Sequence, residues 1–158
     1  MRYLGAKFGL RATTLEGQAR EDMVEGEIVD LRDRFVRASY YKNYNSEEEI
    51  QEELAALRKD LAHYLTELER YLAKNEKRDD DQWLTGAGLS FVDFIAYEYL
   101  DWYRDFVQPD CFAAYPKMAD YMRRFEALPR LKAHLASDAY RKAPILNPTR
   151  AKIGSRKN

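Results

Sequence analysis

Gly88-Leu89-Ser90-Phe91-Val92-Asp93-Phe94 is the stretch whose reading decides the fold. Ser90 and Asp93 stand at the spacing of a reciprocal helix start. The serine hydroxyl can accept from the Asp93 N–H, and the Asp93 carboxylate can reach back to the Ser90 N–H. Leu89 just before the cap and Phe94 four residues after it can close a hydrophobic staple. The helix that follows, to about Phe106, carries Val92, Ile95, Ala96, Tyr97, Tyr99, Leu100 and Trp102. A helix apolar on most sides is a buried central helix, on which the others pack.

Working outward, helical signals recur on both sides. Tyr3 to Phe8 is helical in character but too short to stand alone. A helix is expected to start at Thr13 or Thr14 and to run over about 13–40, with Thr13 and Glu16 at capping-box spacing. Leu15, Ala19, Met23, Ile28, Leu31, Phe35 and Ala38 are its expected apolar stripe. Ser46 and Glu49 repeat the box before a second long helix over about 46–75, with Ile50, Leu54, Leu57, Leu61, Leu65, Leu68 and Leu72 on one face. The charged stretch Asn75 to Gln82, with Asp79-Asp80-Asp81, reads as a solvated loop. Pro116 and Pro129 each open a further helix, over about 116–127 and 129–137. Pro144 and Pro148 mark a non-helical tail. No period-two alternation is found, so the expected fold class is all-α, a helical bundle.

The 158 residues suffice for one domain with a real core. A net charge of −1 gives no reason to expect a nucleic-acid partner. No apolar run approaches the length of a membrane span, so no membrane role is expected. The start, Met1-Arg2-Tyr3-Leu4-Gly5, lacks the apolar core of a secretory signal. Cys111 is the single cysteine, which suits a reducing, cytoplasmic setting. His63 and His134 are far apart, with no Cys or His at ligand spacing, so no metal site is expected. Cys111 reads as a packed small hydrophobe. The 12 tyrosines cluster at the end of the first long helix (Tyr40, Tyr41, Tyr44) and on the central one. Packing explains them first; the sharper alternative is an apolar pocket edged by hydroxyl donors.

The chain resembles the C-terminal helical domain of the cytosolic glutathione transferases, Mu class. The resemblance rests on Arg2-Tyr3-Leu4-Gly5-Ala6-Lys7, the Gly88 to Phe94 stretch, Glu98-Tyr99-Leu100-Asp101, Cys111-Phe112-Ala113-Ala114-Tyr115-Pro116 and Arg124-Phe125-Glu126-Ala127-Leu128, in the order of that family. It implies conjugation of glutathione, the co-substrate, to hydrophobic electrophiles. It also implies a homodimer, and a thioredoxin-like N-terminal domain that is expected to lie outside this sequence. Residues 1–10 then match the last helix of that domain and the linker, 11–143 the helical domain, and 144–158 the tail. Tyr40 matches the family's tyrosine that assists some electrophiles and is the catalytic candidate. Val29, Asp33 and Val36 match pocket-lining positions, Leu146 and Asn147 tail positions that close the pocket. Asp30 matches an acid that reaches glutathione across the dimer. Asp33 departs from the apolar residue usual there, the loop near Asn75 to Gln82 is longer, and the tail is more basic. Such a chain, without the glutathione-activating domain, is expected to be inactive alone. The alternative is a non-catalytic helical module acting through protein contacts.

Overall fold

The computed structural model describes residues 1–75, 82–147 and 149–154. Among these, seven helices form and no strand: α1 (Arg2–Lys7), α2 (Leu15–Tyr40), α3 (Glu47–Asn75), α4 (Phe91–Phe106), α5 (Pro116–Glu126), α6 (Pro129–Leu135) and α7 (Asp138–Lys142). The acidic run Asp79 to Asp81 lies outside the described residues. None of the described helices is long and apolar enough to cross a membrane.

The Ser90–Asp93 box forms with both arms present. Asp93 Oδ2 accepts from the Ser90 backbone N–H at 2.8 Å and from its hydroxyl at 3.2 Å. Oδ1 takes the Leu84 N–H at 3.2 Å, so one carboxylate also fixes the turn leading into the helix. Phe94 packs edge-on to Phe125 of α5, its ring centroid 5.2 Å away. α4 is central, as its composition implies: it packs on α1, α2 and α5, most broadly on α2. Gly5 lets α1 lie directly on it, since a Cβ there would sit 2.9 Å from the Phe91 ring. The Tyr103 hydroxyl donates to the Leu31 carbonyl at 2.9 Å, and the Tyr121 hydroxyl to the Asp93 carbonyl at 3.1 Å. These buried tyrosines are core residues with satisfied hydroxyls, as packing requires.

Three expectations are refined or changed. Of the two starts expected for α2, the cap is Thr14, whose hydroxyl accepts from the Gly17 N–H at 3.1 Å. The first half of the expected α2 stripe is out of phase. Leu15 and Met23 are 80% and 58% exposed, and Ala19 is exposed too. The buried face is Gly17, Glu21, Val24, Ile28, Leu31, Phe35 and Ala38. Gly17 and Glu21 carry no apolar signal: Glu21 is buried because it accepts from the Ala12 N–H at 2.7 Å, closing the turn before the helix. The expected helix over 129–137 ends at Leu135, and a further short helix, α7, follows it, capped by Ser137, whose hydroxyl accepts from the Tyr140 N–H.

Two tests follow from the buried box. Ser90→Ala should cost about 1 kcal/mol. Asp93→Ala should cost roughly 2–3 kcal/mol, because it also orphans the Leu84 N–H. The double variant should lose less than the sum in urea denaturation, since the bonds are shared. Burial pushes the Asp93 carboxyl up to about 6, against the pull of the Ser90 and Leu84 hydrogen bonds. A raised carboxyl stabilises the fold in its protonated form. That contribution is complete below about pH 4 and is lost as pH rises through about 6. The stability gap between wild type and Asp93→Asn should therefore narrow from pH 4 to pH 7, by about 3 kcal/mol at most. A gap independent of pH would show that Asp93 does not titrate in this window.

Candidate functional site

The buried stripe of α2 determines which side chains remain free on its other side. Val29, Asp33, Val36 and Tyr40 recur at i, i+4, i+7 and i+11 and share one face outside that stripe. All four are half-buried. Asp33 holds the Arg32 guanidinium at 2.8 Å, and that guanidinium lies 5.9 Å from the centroid of the Tyr99 ring on α4. Asp33 and Val36 line an open cleft of about 570 Å³ together with Arg32, Arg37, Tyr41 and Lys42. Val29 lies outside that cleft, as does Tyr40.

Tyr40 meets the two tail candidates from the other direction. Its hydroxyl accepts from the Asn147 N–H at 2.7 Å. Leu146, the neighbouring residue, is buried. The segment beyond is laid along α2: the Lys152 N–H donates to the Ser39 carbonyl at 2.9 Å, and Ile153 is buried. Gly154 holds φ at 81° against Phe35, where any Cβ would come within 2.7 Å of the ring. Residues 150–154 of the stretch read as a basic tail thus form a strap across the end of α2, anchored by Ile153 and Gly154. Ile153-Gly154 was the available signal, an apolar residue before a turn glycine.

Asp30 stands apart from both groups. It is exposed, and its charge reaches Tyr64 of α3, whose hydroxyl is held above its usual range first by burial and then by Asp30. The structure therefore brings Tyr40 to Asn147, and Asp33 to Val36. Val29, half-buried, and Asp30, exposed, join neither group. Arg32, Arg37 and Lys42 were not singled out from the sequence, whereas Tyr41 belongs to the tyrosine cluster offered there as the edge of a pocket.

The remaining chemistry is structural. Burial pushes the Cys111 thiol up to about 11, which keeps it a thiol at neutral pH. His63 and His134 are exposed. Among the described residues, no group of His, Cys, Asp and Glu could hold a metal ion. A second cleft, about 580 Å³, opens under α6 and α7. Within it Arg104 binds Asp101 and, at 2.8 Å, Glu126, while the Tyr140 hydroxyl donates to Asp101 at 3.1 Å.

Comparison with known proteins identifies the arrangement. Residues 29–138 match the family model described as the glutathione S-transferase C-terminal domain. The class-mu 26 kDa isozyme 51 of Fasciola hepatica is 36% identical over 146 residues, covering 92% of this chain and 61% of that protein. Glutathione S-transferase Mu 5 of Mus musculus is 34% identical over 148 residues, covering 93% of this chain and 60% of that protein. The crystal structure of the glutathione S-transferase Blo t 8 superposes with a TM-score of 0.87 at 40% identity, over 97% of this chain and 67% of that one. The chain thus spans about three-fifths of the length of these curated relatives. It belongs to the glutathione S-transferase family, with the all-helical fold of the C-terminal domain and relatives of the Mu class.

Proposed function

We propose that this chain supplies the electrophile-binding helical part of an enzyme that conjugates glutathione to hydrophobic electrophiles. The observation that carries the reading is Tyr40. It stands where α2 meets the strap, on the helix face shared with Val29, Asp33 and Val36. A tyrosine hydroxyl has one proton and two acceptor positions. Accepting from Asn147 leaves the proton available for an electrophile's oxygen. When a thiolate adds to carbon, charge develops on that oxygen, and a fixed donor there lowers the barrier.

In this reading glutathione is the co-substrate, and Asp30 meets its amino group from across a homodimer. Residues 1–10 close a thioredoxin-like half, 11–143 form the helical domain, and 144–158 are the tail, in which Leu146 and Asn147 close the pocket. The setting is the cytosol, where Cys111 stays reduced. Thiol addition also needs the sulfur deprotonated near neutral pH, by a donor or positive charge beside it. It needs both reactants held in one place. The family resemblance assigns the first task, and most glutathione contacts, to the thioredoxin-like half.

A polypeptide of residues 1–158 alone should therefore give no measurable turnover of a chloronitrobenzene with glutathione. Turnover should appear once a thioredoxin-like domain of the family is joined ahead of it. Clear turnover by 1–158 alone, abolished in Tyr40→Phe, would make these residues a self-sufficient enzyme and defeat the division of labour proposed. A separate experiment addresses the strap. Tyr40→Phe removes the acceptor of the Asn147 N–H, a loss of roughly 1 kcal/mol or about fivefold in local opening. Amide exchange at Asn147 and Lys152 should accelerate by that factor while exchange in α4 stays unchanged. Unaltered exchange at both amides would mean the strap is held without Tyr40.

A further inference from the structure

We propose that the cleft formed by Arg32, Asp33, Val36, Arg37, Tyr41 and Lys42 selects a monoanionic aryl ligand, an electrophile carrying a carboxylate that Arg37 binds. The proposal rests on the reading of Asp33 and Val36 as part of the electrophile wall, and names the substrate class that wall admits.

A charge inventory of this end of α2 carries it. Arg32 is neutralised by Asp33 at 2.8 Å. Arg34 is neutralised by Asp60 at 2.7 Å. Lys42 is bound to the buried carboxylate of Glu53. Arg37 has no acidic partner among the described residues, and it lines the cleft. The cluster therefore carries one unmatched positive charge. The last carbonyls of α2 bring partial negative charge to the same end. Arg37 is exposed, so its guanidinium is open to a ligand. A free guanidinium fork matches a carboxylate with two parallel hydrogen bonds.

The apolar half of the ligand also has a place. Val36 is half-buried, and the Tyr41 ring is 80% exposed at the rim. Together they offer an aliphatic and an aromatic surface in the cleft that Arg37 also lines. A volume of about 570 Å³ is enough for a ligand of one or two rings. Asp33 sharpens the selection. By pinning Arg32 it prevents a second free cation, so the cleft matches a monoanion better than a dianion.

The test is calorimetric binding of 2-naphthoate and of its neutral isostere 2-naphthamide to the chain, at low salt and at 0.5 M salt. Naphthoate should bind at least fivefold more tightly than naphthamide at low salt, with the advantage shrinking at high salt. Arg37→Gln should abolish the difference between the two ligands while leaving the naphthamide affinity as it was. Tyr41→Ala should weaken both by a similar factor. Arg123→Gln, on the exposed face of α5, should change neither. Equal affinity for the two ligands, no binding of either, or an undiminished naphthoate preference in Arg37→Gln would each overturn the proposal. The measurement involves neither glutathione nor conjugation. Failure here leaves the transferase reading standing, and failure of the conjugation experiment leaves this one untouched.

Discussion

A single buried carboxylate holds the architecture at its centre. Asp93 is fully buried, and its two oxygens collect the Leu84 N–H, the Ser90 N–H and the Ser90 hydroxyl. Its own carbonyl takes the Tyr121 hydroxyl from α5. Beside it, the Phe91 N–H donates to the Leu10 carbonyl at 2.8 Å, which ties the connector after α1 to the same helix start. Three segments distant in sequence are thus joined at one turn. Removing water from a carboxylate is expensive, and only a nearly complete set of donors offsets it. The site therefore permits one geometry of the 84–90 turn and one direction for α4.

The direction of α4 then determines which face of α2 is buried. Phe35 sits among Trp102, Tyr103 and Phe106, at ring-centroid distances of 5.7, 5.4 and 6.4 Å. Tyr103 adds a hydrogen bond to the Leu31 carbonyl. With Leu31 and Phe35 committed to α4, the face carrying Val29, Asp33, Val36 and Tyr40 has only the opposite side available. The candidate pocket is in this sense a by-product of core packing. No residue of that face has to specify its own orientation.

This dependence explains how much could be read from the chain beforehand. The capping box, α4 and the leucine face of α3 were legible because each is a local pattern: a three-residue spacing, an apolar helix, a regular repeat. The phase of early α2 was not. Its true stripe runs through Gly17 and Glu21, and Glu21 is inside because the Ala12 N–H needs an acceptor, which is a tertiary fact. The docking of residues 150–154 on α2 left little mark in the sequence for a related reason. Lys152 is polar, yet its backbone N–H is what binds Ser39, and backbone bonding leaves no mark on composition. Within the candidate site, the helical spacing of Val29, Asp33, Val36 and Tyr40 was visible. The joining of Tyr40 to Asn147, 107 positions away, was not.

In the proposed function the same joint would serve both the strap and the chemistry. The Tyr40 hydroxyl is the acceptor that holds Asn147, and in the proposed chemistry it is also the donor to the electrophile's oxygen. A hydrogen bond accepted by a hydroxyl polarises its O–H, so a closed strap makes Tyr40 a better donor than an open one. Arg37 and Tyr41, which line the cleft, flank Tyr40 in sequence at the same helix end, while the Tyr40 hydroxyl itself meets Asn147. Closure of the strap, selection by charge and donation to the developing oxyanion would then act on one short segment, Val36 to Tyr41. Its position is set by the packing of Phe35 and Ala38 on the core.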